Sequence, residues 1–142
     1  MKYICRRLFA AAAILLATTA LDASAQTVAV GKYRTTEAFD KVFLSTLRTV
    51  STGKFTLKSS DNVQGTIQAV QMDKSGRHEF ASLFVLVTKE TDGVLIEATF
   101  KRNSGYMGGG KPAEWAKTFG AELKASLPDL KVVPEPDKEK KD

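Results

Sequence analysis

The chain has 142 residues with a formal net charge of +5, and it holds one cysteine, one histidine and one tryptophan. That length suits a single domain with a core of its own. One cysteine excludes an internal disulfide, and the absence of an arginine-rich stripe or a basic-aromatic platform argues against a nucleic-acid-binding protein.

Lys2, Arg6 and Arg7 precede an apolar block over 8–16, and Ala23, Ser24 and Ala25 precede Gln26. A charged start, a short apolar block and a small-x-small site predict a signal peptide over 1–25, cleaved before Gln26. The block is shorter than the roughly 20 apolar residues that a membrane-spanning helix needs. Cys5 lies ahead of the block, whereas a lipid-anchored bacterial protein carries its cysteine after it. The expected mature chain is therefore exported, periplasmic or secreted, with no membrane span and no thiol. Without Lys2, Arg6, Arg7 and Asp22 its charge falls to about +3, which suits at most a weak contact with an anionic surface.

Residues 27–34 read as extended, either a short edge strand or a leader into the domain. Thr36 then stands as an N-cap before a helix over 37–51, where Phe39, Val42, Phe43, Leu47 and Val50 recur at helical spacing and Gly53 supplies a stop. Alternation over 55–59 predicts a strand, and Asp61 and Asn62 turn the chain into a second over 63–72. There Val70 and Met72 break the alternation, as at a bulge or on an apolar outer face. The two most strand-like runs follow, 80–89 and 94–101, with Thr91, Asp92 and Gly93 between them. Asp-Gly between apolar alternating runs is a hairpin signal. Lys111 and Pro112 open a second helix, with Trp115, Phe119 and Leu123 on one stripe, Gly120 marking a close approach and Pro128 ending it.

These elements predict an α+β fold: a two-layer sandwich in which a four-stranded antiparallel meander is flanked in sequence by two helices, with a short N-terminal strand as an optional addition. One domain is expected over 26–133, followed by a charged disordered tail over 134–142.

Chemistry is sparse. Gly105 to Lys111 fits the spacing of a phosphate-binding loop, but Pro112 occupies the place of the magnesium-binding Ser or Thr. What survives is a weak anion site of Arg102, Gly108, Gly109, Gly110 and Lys111 at a helix start. His78 stands alone without a nucleophile or second ligand, so neither a triad nor a metal site is expected, and no cofactor. Glu79, Glu90 and Glu97 read as solvated strand positions. On the central strand, Phe84 and Leu86 alternate with Leu83, Val85 and Val87. With Val94, Ile96, Ala98 and Phe100 read as inward, the set Leu83, Val85, Val87 and Leu95 is assigned to the opposite face, as a patch for a partner together with Tyr106 and Met107 of the glycine loop.

The run from Phe39 and Leu47 through Gly53, Lys54 and Phe55 to Asp61, Gly65, Ile67 and Ala69 resembles small bacterial envelope domains of the BamC-like, helix-grip type. Those proteins are lipoproteins accessory to outer-membrane protein assembly, and this chain lacks their lipid-attachment cysteine. The resemblance implies a non-enzymatic interaction module and no particular functional residue. The expected function is accordingly a non-catalytic envelope interaction or scaffold module that binds an envelope protein or itself. The alternative is a carrier or sensor of a small anionic or apolar ligand. A deep cavity between the layers favours the carrier; a filled core with an exposed flat patch favours the interaction module.

Overall fold

The computed structural model describes residues 27–103 and 110–134. The leader, the part of the glycine loop holding Tyr106, Met107, Gly108 and Gly109, and the tail after Pro134 lie outside these residues. The elements run β1 (Val28–Thr35), α1 (Phe39–Thr52), β2 (Thr56–Asp61), β3 (Thr66–Met72), β4 (Glu79–Glu90), β5 (Gly93–Arg102), α2 (Pro112–Ser126) and β6 (Lys131–Val132). They form one antiparallel sheet in the order β2-β3-β4-β5-β1-β6, and both helices pack on one of its faces.

The fold class is α+β, with two corrections to the expected arrangement. The sheet has six strands rather than four, and it does not end at β5. β1 pairs with the free edge of β5 along all eight of its residues, so it is an interior strand and not a leader. A segment with few strand cues of its own becomes a strand because the most apolar hairpin offers it a full ladder of donors and acceptors. β6 adds two residues opposite Tyr33 and Arg34, too short a run for any periodicity to reveal. The β-hairpin turn is also not of the primed kind. Positive φ appears at Gly93, after the turn, where a Cβ would collide with the Thr35 carbonyl oxygen.

Helix α1 begins two residues later than expected. Its N-cap is Ala38, which makes no side-chain capping bond. Thr36 is engaged elsewhere: the Asp129 carboxylate accepts hydrogen bonds from Thr35 Oγ1 at 2.6 Å, Thr36 N–H at 2.8 Å and Thr36 Oγ1 at 2.7 Å. This clasp ties the β1–α1 junction to the chain that leaves α2. The buried face of α1 includes Thr46 and Thr49, whose hydroxyls donate back to the Val42 and Ser45 carbonyls at 2.8 and 3.0 Å, so their burial leaves no orphan donor.

Helix α2 approaches β1 closely. A Cβ at Gly120 would stand 2.7 Å from the Tyr33 ring, and the Tyr33 hydroxyl donates to the Ala116 carbonyl at 2.8 Å. Burial raises the Tyr33 pKa further above its already high ordinary value. Between the layers, Val42, Phe43, Val50, Ile67, Leu83, Val85, Val87, Ile96, Phe100, Phe119, Leu123 and Leu127 form one continuous core.

The partner patch assigned to Leu83, Val85, Val87 and Leu95 is corrected here. Leu83, Val85 and Val87 lie opposite Phe100, Ala98 and Ile96, on the face the helices cover, and all three are buried. Leu95 lies opposite Thr88 and belongs to the other face, with Phe84 and Leu86. The hairpin register decides this: Glu90 pairs with Gly93, so odd positions of β4 meet even positions of β5. The face left without helices carries Val28, Val30, Phe84, Leu86 and Leu95, and Val70 opposite Ser82. Val70 interrupts the alternation in β3 because it belongs to this open face, and a separate bulge between Gln71 and Met72 leaves Phe80 of β4 as the extra residue.

Two stability measurements follow from this packing. Val85 is fully buried and Phe84 is 41% exposed. Val85→Asp should cost about 4 kcal/mol, enough to abolish a cooperative thermal transition in a marginally stable domain, whereas Phe84→Asp should cost about 1 kcal/mol or less. The three hydrogen bonds to Asp129, those from Thr35 and Thr36, hold its pKa down to about 2. A lowered folded value means the clasp stabilises fully above the unfolded value near ~3.9 and is lost as pH falls through the folded one. In chemical denaturation, Asp129→Asn should lose about 1 kcal/mol at neutral pH. The variant should then show a shallower decline than the parent between roughly pH 4 and pH 2.

Candidate functional site

The core is not filled everywhere. Where the last turn of α1 faces α2, a cleft of about 330 Å³ opens over the sheet. Its floor is Leu83 of β4 and Phe100 of β5, which are register partners. Helix α2 contributes Trp115, Thr118, Phe119 and Glu122, an i, i+3, i+4, i+7 stripe that places all four on one side. The end of α1 contributes Thr49, Val50, Thr52 and Gly53, and the chain entering β2 contributes Lys54 and Phe55.

Four aromatic rings line this space. Phe55 meets Phe100 edge-on at 5.9 Å and Trp115 edge-on at 5.8 Å between centroids. Phe119 meets Phe100 edge-on at 5.6 Å. Such edge-to-face contacts hold large planar side chains at fixed angles instead of letting them collapse into the gap. Trp115 is braced from behind as well, because Gly110 has φ of +93° and its backbone approaches the indole so closely that a Cβ would sit 2.7 Å from Nε1.

Thr52, Lys54, Thr118 and Glu122 stand exposed at the rim, and Thr49 lies buried within the lining. Thr49 Oγ1 donates to the Ser45 carbonyl at 3.0 Å, and Thr52 Oγ1 to the Arg48 carbonyl at 2.9 Å. Lys54 and Glu122 are exposed and, among the described residues, neither forms an ion pair. No histidine or cysteine is among the described residues of the lining. The arrangement can hold an apolar body and present a few polar groups to one end of it.

Of the residues expected to bind an anion, Gly108 and Gly109 lie outside the described residues, and the structure places Arg102, Gly110 and Lys111. Arg102 ends β5 opposite Ala81, and Lys111 is the exposed N-cap of α2. Pro112 has no N–H, and the N–H groups of Glu114 and Trp115 are both turned to the Lys111 carbonyl. Glu114 adds a carboxylate in the same turn. Gly110 serves the packing of Trp115. His78 is exposed beside the 73–76 loop, where its carbonyl accepts from Asp73 N–H at 2.9 Å. The Ser75 hydroxyl bond holds the Asp73 carboxyl below its ordinary pKa, with help from the backbone of Arg77 and His78.

Sequence reading placed Trp115, Phe119 and Phe100 inward but did not reveal that a space remains among them. Lys54, Thr49, Thr52, Thr118 and Glu122 gave no local signal, since their meeting requires α1 to end beside α2. No protein-family model matches the chain, and no curated protein does.

Gly110→Ala tests the bracing of the cleft wall. The variant should lose about 1 kcal/mol or more from the positive φ alone. It should also shift the emission of Trp115, the chain's one tryptophan, whereas Lys111→Ala should do neither.

Proposed function

We propose that this chain is a non-catalytic domain of the bacterial envelope that holds a small apolar ligand in the cleft between α1, α2 and the sheet. The carrying observation is the aromatic cleft of about 330 Å³, lined by Phe55, Phe100, Trp115 and Phe119 with most of its polar groups exposed at the rim. Ligand sites have this composition, and this volume lies at the small end of their range of roughly 300–1,000 Å³. The export signal read in the sequence supports the envelope location, and kinship with BamC-like envelope domains is part of the same proposal.

A second reading is favoured by one observation. The sheet face without helices exposes Phe84, Val28 and Val30. Solvated sheet faces of antiparallel folds are usually polar at such positions, and apolar groups there favour an interaction module acting through this face.

One titration separates the two. N-phenyl-1-naphthylamine, a neutral probe that brightens in apolar surroundings, should bind saturably and accept excitation energy from Trp115. Thr118→Phe narrows the mouth without altering the core, because Thr118 is exposed. That change should weaken binding about tenfold or more, the cost of displacing an apolar group from its pocket, while Phe84→Asp leaves it unchanged. Binding that survives Thr118→Phe and is lost in Phe84→Asp would transfer the function to the open sheet face.

A further inference from the structure

We infer that the ligand of this cleft is an organic cation, an ammonium group carried on an apolar or aromatic body. The inference rests on the cleft being a ligand site and goes further, to the charge of what it takes.

The rim sets the acceptors of Thr52 and Glu122 beside the donors of Lys54 and Thr118, and the acceptors gather at the end of α1. Thr52 stands exposed at the mouth and Thr49 lies buried in the lining, and each spends its hydroxyl proton on a helix carbonyl, leaving only lone pairs for a ligand. Helix α1 ends at this mouth with no basic residue in its last turn, so the negative end of its dipole is uncompensated within the helix. Glu122 adds a full negative charge. Its carboxylate lies 4.0 Å from the position a Cβ would take on Gly53, so it leans toward the end of α1, and it forms no ion pair among the described residues. Behind this rim stand the four aromatic rings, whose area receives an apolar body and whose π-systems are a kind of surface that attracts cations. Hydroxyl lone pairs, a helix C-terminus, a carboxylate and aromatic rings all favour positive charge.

One group in the lining opposes it. Lys54 also stands at the mouth, exposed, on the chain between α1 and β2. It makes a cation of the protein's own compete with the ligand, and it is the natural control for the charge argument.

The test uses the purified protein and the emission of Trp115, with three probes of like size: benzyltrimethylammonium, its neutral isostere neopentylbenzene and the anion phenylacetate. The cation should bind about tenfold tighter than the neutral isostere, a preference of the size cation–π contacts supply when partly desolvated, and phenylacetate should bind weakest. Glu122→Gln should reduce the preference for the cation about two- to fivefold, the worth of one solvated ion pair, and leave neopentylbenzene binding unchanged. Lys54→Met should increase that preference. Both side chains are exposed, so the fold is retained, and an unchanged thermal transition checks this. Equal binding of cation and isostere, insensitive to Glu122→Gln, would overturn the inference while leaving an apolar site. Preferred binding of phenylacetate, abolished in Lys54→Met, would overturn it in favour of an anion. Failure of all three probes, or binding that Thr118→Phe does not weaken, would remove the cleft as a ligand site altogether.

Discussion

Glu90 faces Gly93 across a two-residue turn, and every later pairing of the central hairpin inherits that register. A one-residue slip would turn each side chain of β4 to the opposite face. As it stands, Leu83, Val85 and Val87 join Ile96, Ala98 and Phe100 beneath the helices, and Phe84 and Leu86 look out with Glu97 and Thr99. Both faces of β4 are apolar enough to serve as a core face, so composition does not choose between them. The partner strand does, because β5 has only one apolar face of consistent depth.

The two ends of the chain complete the sheet around this hairpin. β1 occupies the outer edge of β5, and its Tyr33 fills the space that Gly120 leaves in α2. Asp129 then closes the structure by binding Thr35 and Thr36, so the residues that lead out of α2 also fix where α1 starts. The far edge is protected differently. β2 is exposed along its whole length, but it is bulged at Lys58, whose ammonium pairs with Glu79 at 2.6 Å. Bulges and charges on an edge strand discourage pairing with other chains.

The cleft is a consequence of this arrangement and not of a motif. Helix α1 ends at Thr52 with Gly53 as its C-cap, and beside that end Phe55 meets Trp115 and Phe100 edge to face while Phe119 meets Phe100 in the same way around the opening. On the opposite side of the sheet, the exposed apolar groups are interleaved with Lys32–Glu97 and Arg34–Glu90 ion pairs, at 2.7 and 2.8 Å, which keep water close to that surface. The recessed aromatic cleft therefore offers a small apolar molecule a drier environment than the open face does.

Local pattern determined a good deal. Helical spacing of Phe39, Val42, Phe43 and Val50, proline at the start of α2, and the alternating runs around Asp92 and Gly93 located both helices and the four-strand meander, since these signals act within a few residues. The inward set Val94, Ile96, Ala98 and Phe100 was legible for the same reason. Applying a two-residue turn to that set would also have carried Leu83, Val85 and Val87 inward, so the facing of β4 was in principle readable. The sheet positions of β1 and β6, the diversion of Thr36 from capping to Asp129 and the sharing of one cleft by Lys54 and Glu122 were not. Each depends on groups far apart along the chain, where the free energy comes from satisfying a strand edge or a carboxylate that no local window contains. The cleft belongs to the same class, because an unfilled volume is a property of how helices rest on a sheet and leaves no trace in the order of residues.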